Sequence, residues 1–422
     1  MSFGSVVHIN EKGGTFGGTE EYIALLTPAL KRRGVRSHLV CGSTAGSLPP
    51  GLESVQVVDG LASRRSPPST AAGLVSAVTR LDPDVVYVHN VFDPGIVPAL
   101  AAIKGRGTLL WYIHDHYLTC LSELRWRRDL GSCPHRLGDG CLTAIDAGRC
   151  VLRHRDATYG VAELRHRQSL SRSMGSADGV VVVSDYMWTV VNEANPQLDH
   201  RLHRLLRPVR ELGPVRPRHR VRSDDPAVVT YAGRITAEKG LAVVIEALAA
   251  IGHPGPVELR IAGVIEDPVY WSQCLQLGAL ATATNPALTI THVGHLDYDA
   301  TDDLLRRSDI VAIPSLWPEP LGAVALEAMA AGAAVVAAAI GGLADTIVHE
   351  HNGLCARPGD HDSWVDALGA LLQHPEHARR LAHQAQLDVA HVDIDDHLDD
   401  LDEIVTTHLA SGASDRSRTH QH

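Results

Sequence analysis

Short, nearly unbroken apolar runs recur along this chain, and most are followed by a stretch with helical periodicity. The first half holds Ser5–Asn10 (SVVHIN), Asp84–His89 (DVVYVH), Thr108–His114 (TLLWYIH) and Asp178–Ser184 (DGVVVVS). The second half holds Ala227–Ala232 (AVVTYA), Val257–Ala262 (VELRIA), Asp309–Pro314 (DIVAIP) and Ala334–Ala338 (AVVAA). A strand that is apolar on both faces must be covered on both faces, which means a parallel sheet sandwiched between helices. The intervening segments supply those helices. In Thr19–Arg33, residues Tyr22, Ile23, Leu26 and Leu30 share one face, Thr19 offers a cap and Gly34 a stop. Lys239–Ala250, Asp299–Arg307 and Leu321–Ala331 read the same way.

The rhythm breaks once, at Arg204–Pro226, which carries Pro208, Pro214, Pro217 and Pro226 among arginines, the composition of a linker. The expected class is therefore α/β, with two doubly wound Rossmann-like domains, 1–205 and 226–390, joined by a linker at 206–225. Ligands are expected in an inter-domain cleft, outside the carboxyl ends of the strands. Ile394, Leu398, Leu401 and Val405 predict a further helix over 391–410, and 411–422 reads as a disordered tail. A length of 422 residues and a hydrophobic content of 45% suffice for two such cores.

No apolar run approaches the ~18 residues of a membrane span, and the N-terminus has no basic segment leading into an apolar one, so a cytoplasmic location is expected. The net charge of −11 argues against nucleic acid as a partner. The arginines after Cys120 (Arg125, Arg127, Arg128, Arg149, Arg153, Arg155, Arg165 and Arg167) read as a solvated face that leaves at most peripheral membrane contact open.

Four places carry candidate chemistry. In Glu319-Pro-Leu-Gly-Ala-Val-Ala-Leu-Glu327, two carboxylates flank the expected start of a helix. The amides of Leu321, Gly322 and Ala323 would point from that terminus, a natural place for phosphate. In Gly233-Arg-Ile-Thr-Ala-Glu-Lys239-Gly240, between a strand and a helix, Arg234 offers a planar fork and Lys239 a mobile point charge, a pair suited to a diphosphate. Lys239 is one of only four lysines, with Lys12, Lys31 and Lys104. Gly13–Gly18 is a glycine loop at a strand–helix junction. Its spacing is not G-x-G-x-x-G, and the next strand ends (Leu39–Ser43) without the acidic residue a dinucleotide site needs. Gly17 and Gly18 fit better as a loop that a phosphate or sugar approaches. Finally, His114-Asp115-His116 ends a strand, which aims His114 at the expected cleft.

Together these features resemble the retaining glycosyltransferases of family four (glycosyl transferases group 1), which have the GT-B fold. The resemblance extends from Gly17-Gly18 to Gly353 and is most specific in Arg234, Lys239 and the Glu319/Glu327 pair, supported by Ala331-Gly332 and Gly341-Gly342. It implies a cytoplasmic enzyme that moves a sugar from a nucleotide diphosphate sugar, most commonly a UDP-sugar, to a hydroxyl acceptor: a polysaccharide intermediate, a lipid-linked sugar or a secondary metabolite. It implies that Arg234 and Lys239 bind the diphosphate, Glu319 the donor sugar and Glu327 the ribose. It also implies diphosphate contacts from Leu321–Ala323, a loop at Gly17-Gly18 near phosphate and acceptor, and His114 beside the transferred sugar. No metal is implied for catalysis. A nucleotide-sugar epimerase or a non-catalytic sugar-nucleotide-binding protein of the same fold is the alternative.

One departure follows His114-Asp115: an insertion at about 117–156 carrying Cys120, Cys133, Cys141 and Cys150. The odd total of seven cysteines and the lack of an export signal argue against a disulfide framework. The spacing has no C-x-x-C knuckle, and the readings are a structural zinc site, redox-sensitive bridging or idle thiols. It falls where the resembled family binds its acceptor, which implies a part in acceptor choice.

Overall fold

The computed structural model describes residues 1–14, 17–103, 105, 107–152, 159–209, 225–253 and 255–418, with side chains described to residue 409. The chain divides into two compact units. One comprises Met1–Glu123, Pro134–Pro208 and the segment from Val392 onward; the other comprises Leu124–Cys133 and Val209–His391.

The strands, in chain order, are β1 (Ser5–Asn10), β2 (Arg36–Cys41), β3 (Ser54–Val57), β4 (Val85–Val88), β5 (Thr108–Ile113), β6 (Trp126–Arg127), β7 (Gly131–Ser132), β8 (Gly179–Val182), β9 (Leu202–Arg204), β10 (Ala227–Ala232), β11 (Val257–Ala262), β12 (Leu288–Gly294), β13 (Ile310–Ile313), β14 (Ala334–Ala338) and β15 (Leu354–Ala356). In the first unit they form a sheet in the order β3-β2-β1-β4-β5-β8-β9, with parallel pairing throughout. In the second the order is β12-β11-β10-β13-β14-β15, again parallel. The short β6 and β7 pair with each other in antiparallel register. Both sheets are wound outward in two directions from their first strand, as the continuous apolar runs demand: β1, β4, β5, β8, β13 and β14 are buried at every position. The fold class read from the sequence, two Rossmann-like α/β units, stands.

Several boundaries shift for physical reasons. The first helix spans Gly18–Arg32 with Gly17 at its N-cap; Thr19 does not cap it, and its hydroxyl instead accepts from Asn90 Nδ2 at 3.2 Å. The helix expected over Lys239–Ala250 is a 3₁₀ turn, Ala237–Lys239, followed by a helix Leu241–Ala250, because Gly240 breaks the run in left-handed conformation. The helix expected from Leu321 starts at Ala323, after the left-handed Gly322. The C-terminal helix runs Ile394–Arg418, through most of the segment read as a disordered tail, and residues 419–422 lie outside the described residues. Its Leu398, Leu401 and Val405 are buried in the first unit, and His397 bonds to Tyr22 there at 2.9 Å. Most of the expected linker, 210–224, also lies outside the described residues.

Candidate active site

In the second unit β10 and β13 are neighbours, although about eighty residues separate them in the chain. This is the point where the winding of the sheet reverses, and loops leaving two such strands diverge and open a crevice. The loop after β10 carries Arg234 and Lys239; the loop after β13 carries Glu319. The two loops are tied together, since Leu316 N donates to Glu238 O at 2.8 Å.

Lys239 Nζ lies 2.9 Å from Glu319 Oε1, and both side chains are mostly buried, at 18% and 8% exposure. Ser315 Oγ donates to the same carboxylate oxygen. Oε2 of Glu319 accepts no hydrogen bond among the described residues. The Trp317 ring centroid stands 5.7 Å from Nζ. The Glu319 backbone is gripped as well. Gly342 N donates to its carbonyl at 2.8 Å, and a Cβ on Gly341 would stand 2.7 Å from its nitrogen, so only glycine fits there.

Arg234 stands apart from that pair. Its Nη1 bonds Glu266 at 2.6 Å and its Nη2 lies 3.9 Å from Glu238, while its carbonyl accepts from Tyr231 Oη at 2.6 Å. Glu327 is the fifth residue of the helix Ala323–Ala331, one turn in rather than two, because the helix starts late. It lines a small solvent-open cleft of about 230 Å³ with Tyr298, Thr301, Asp302 and Leu305. The N-terminal amides of that helix belong to Ala323 and the residues after it. Leu321, expected among them, precedes the helix and is buried, and Gly322 forms its cap.

In the first unit the glycine loop splits by role. Gly13 and Gly14 pack against the segment after β2: a Cβ on Gly14 would stand 1.7 Å from Ala45 O. Their lack of side chain thus serves internal packing. Among the described residues, a Cβ on Gly17 or Gly18 would meet the Glu20 carboxylate (3.4 Å) and Arg207 Nη1 (3.6 Å) respectively. Thr15 and Phe16 lie outside the described residues.

His114, at the end of β5, lines a solvent-open cleft of about 250 Å³ with His89, Asn90, Phe92, Asp115 and Tyr117. It belongs to a buried polar layer that the sequence reading missed. His8 on β1, Tyr87 and His89 at β4, and Tyr112 and His114 at β5 occupy alternate positions, so they share one face of the sheet. Tyr22 of the first helix packs edge-on against Tyr112 and His114, with centroids at 4.9 and 5.6 Å. The signal was present as two copies of Tyr-x-His at adjacent strand ends, Tyr87-x-His89 and Tyr112-x-His114. Burial pushes the His8 imidazole down to about 3 and that of His397 to about 4. Burial and then the Arg207 charge lower that of His114, and burial followed by the neighbouring histidines lowers that of His89. All four rings are neutral near pH 7.

The insertion after His114 is anchored by Arg167, which is 0% exposed. Its Nη1 donates to Tyr117 O at 2.8 Å and Cys120 O at 3.3 Å, Nη2 to Glu123 at 2.7 Å and Nε to Glu163 at 2.9 Å. The Tyr117 ring lies 3.4 Å from its guanidinium carbon. Arg125 and Arg127 are also buried, so these three arginines do not belong to the solvated face expected of them; Arg153 and Arg155 lie outside the described residues. Among the described residues no group of three or more His, Cys, Asp or Glu is placed to hold a metal ion, so the zinc expectation for Cys120, Cys133, Cys141 and Cys150 gains no support there. Residues 153–158, which include His154, lie outside that description.

Residues 16–209 match the family described as Glycosyltransferase Family 4, and residues 216–388 match the one described as Glycosyl transferases group 1. An uncharacterized glycosyltransferase of Methanocaldococcus jannaschii is 34% identical over 167 residues, 39% of this chain and 41% of that protein. The match thus spans about two fifths of that relative's length. A D-inositol 3-phosphate glycosyltransferase of Xylanimonas cellulosilytica is 26% identical over 381 residues, 87% of this chain and 86% of that protein. The solved structure of Anabaena HepE in complex with UDP superimposes with a TM-score of 0.68 at 18% identity, covering 96% of this chain and all of that one, a likeness of fold.

Proposed function

We propose that the chain, whose first half matches Glycosyltransferase Family 4 and whose second half matches Glycosyl transferases group 1, is a GT-B glycosyltransferase that transfers a sugar, with retention of anomeric configuration and without a catalytic metal, from a nucleotide diphosphate sugar to a hydroxyl acceptor. The observation that carries this reading is the Lys239–Glu319 pair at the strand switch of the second unit. Breaking a glycosyl–phosphate bond builds positive character on the sugar and negative charge on the departing diphosphate. Lys239 supplies a fixed cation for the diphosphate, with Arg234 as a second one held by Glu238 and Glu266. A preorganised charge of that kind lowers the barrier.

Glu319 uses the oxygen not engaged by Lys239 and Ser315 to accept from donor-sugar hydroxyls. Glu327, in the cleft beside Tyr298, binds the ribose. Gly322, Ala323 and the adjoining amides, preceded by Leu321, hold the diphosphate at the helix terminus, and Gly17 and Gly18 serve phosphate and acceptor. His114 acts on the transferred sugar. Its neutrality suits that role, because an imidazolium would oppose the positive charge developing on the ring. The donor is read as a UDP-sugar; Anabaena HepE, a protein of similar fold, has been solved with UDP, with UDP and glucose, and with UDP-glucose. No helix of the described residues is long and apolar enough to cross a membrane.

The test is incubation with a panel of UDP-sugars and hydroxyl acceptors, following UDP release and the anomeric configuration of the product by NMR. An α-linked product from an α-configured donor supports the reading. An epimerised free nucleotide sugar, or binding without turnover across the panel, rejects it.

A further inference from the structure

We infer that His8 and His89 are positioning residues for His114: the three imidazoles form one hydrogen-bonded chain that ties the cleft-facing nitrogen of His114, as donor or acceptor, to a ring buried in the first strand. His8 Nδ1 lies 3.2 Å from His89 Nε2, and His89 Nδ1 lies 3.1 Å from His114 Nε2. Each contact joins two ring nitrogens, so one must carry the proton and the other the lone pair. In neutral rings the choice at one contact dictates the choice at the next. The chain therefore has two allowed states, with Nδ1 protonated in all three rings or Nε2 protonated in all three.

Among the described residues nothing else on that face competes for these nitrogens. Tyr22 Oη pairs with Tyr87 Oη at 3.1 Å and His397 Nε2 at 2.9 Å, and Tyr112 Oη donates to Leu205 O at 2.7 Å. His8 Nε2, at the buried end, makes no hydrogen bond among the described residues. At the other end His114 is partly exposed and lines the cleft, and its Nδ1 makes no hydrogen bond among the described residues. The middle ring is clamped through its backbone, with His89 N donating to Ile9 O at 2.9 Å and His89 O accepting from Trp111 Nε1 at 2.9 Å. When Nδ1 is protonated throughout, the cleft meets an N–H donor; in the other state it meets a lone pair. A histidine's role follows from the bond its other nitrogen makes, and here that bond leads to His8.

The inference rests on the proposed role of His114 toward the transferred sugar, and its test separates the two. The tautomers are read from ring ¹⁵N shifts and long-range ¹H–¹⁵N correlations of the full-length protein labelled at histidine, a readout that needs no activity. The expected result is three neutral rings with the same nitrogen protonated in each. A mixture of tautomers along the chain, or a charged ring near pH 7, overturns the inference. His8→Val removes the buried end. The His114 ring shifts should then move toward a tautomer average, and kcat should fall about ten-fold with the donor KM within about two-fold. His8→Asn, whose amide can donate or accept at the same place, should restore both. Unchanged His114 shifts in His8→Val overturn the inference even if activity falls. If His8→Val does not fold, His8→Asn and the wild-type tautomers still decide. Correct tautomers in a protein that transfers no sugar would sink the functional reading and leave the histidine chain intact.

Discussion

Lys239 and Glu319 form a mostly buried ion pair at 2.9 Å across eighty residues of chain, joined because β10 and β13 lie side by side. The lysine is already committed to the carboxylate. On the proposed reading, a diphosphate at this site would meet a cation oriented beforehand, and Glu319 would keep one oxygen for the sugar.

Lys239→Ala and Arg234→Ala should each lose transfer while the fold persists. Removing one charge-assisted contact to the developing diphosphate charge costs about 2–4 kcal/mol, or roughly 10²–10³ in rate. Lys239→Ala should also lower stability more than Arg234→Ala, because it leaves the buried Glu319 with Ser315 alone, whereas Arg234 is part-exposed. Steady-state rates near wild type for both variants would reject the diphosphate role.

Glu319→Gln and Glu327→Gln should fail differently. In the proposed roles, Glu319 would contact the sugar where charge develops, so its loss should lower kcat. Glu327 would hold the unchanging ribose, so its loss should mainly raise the donor KM. Varied-donor kinetics decide, and equal drops in kcat with KM unmoved would refute the division.

Transfer should persist through brief treatment with a chelator, since in the proposed site Lys239 and Arg234 would supply the positive charge that a divalent ion otherwise brings to a diphosphate. The nearby Asp297-Tyr298-Asp299 is partly committed to the fold, because Asp297 caps its helix through Ala300 N at 2.9 Å. Abolition by chelator with rescue by magnesium or manganese would contradict the clamp. Slow inactivation with release of zinc would implicate the cysteine-bearing insertion instead.

Stability should fall on acidification between about pH 6.5 and pH 3. His8, His89, His114 and His397 are neutral in the folded state, with their protonation pushed below the ordinary value by burial. Across that window the unfolded chain binds more protons than the native one, so stability rises with pH and is lost as pH falls. At pH 5 a fully buried ring such as His8 contributes about 2 kcal/mol of destabilisation relative to pH 7. Denaturant midpoints should show a larger pH 5 to pH 7 difference in the wild type than in His8→Val.

Arg167→Leu should destabilise the first unit by about 3 kcal/mol, because it takes the nearest cation from the buried Glu123 carboxylate, which keeps the more distant Arg64 at 3.6 Å, and removes a charged donor from the carbonyls of Tyr117 and Cys120. Thermal denaturation with the Glu123→Gln/Arg167→Leu double variant checks the cause. If the double variant is no more stable than the single one, the stranded charge is not the reason.

The sequence by itself marked the central strands of both sheets, because a parallel strand covered on both faces is apolar at most positions, whereas the edge strands β3, β9 and β15 carried no such run. It also determined which residues leave β10 and β13 at their carboxyl ends, since Arg234, Lys239 and Glu319 follow directly from those runs. The helices Pro268–Thr284 and Val161–Ser173 went unread, the first with long exposed apolar residues such as Val269 and Leu280, the second strongly polar; neither carries a clean apolar stripe. Only the tertiary structure decided the pairings. Lys239 finds Glu319 rather than Arg234's partners because of strand order, which periodicity along one strand does not encode. Arg167 is a buried anchor and His8 the end of a histidine chain for the same reason. A polar residue's partner lies on another element, and a composition that reads as solvated surface becomes core once several donors and acceptors from distant strands converge on it.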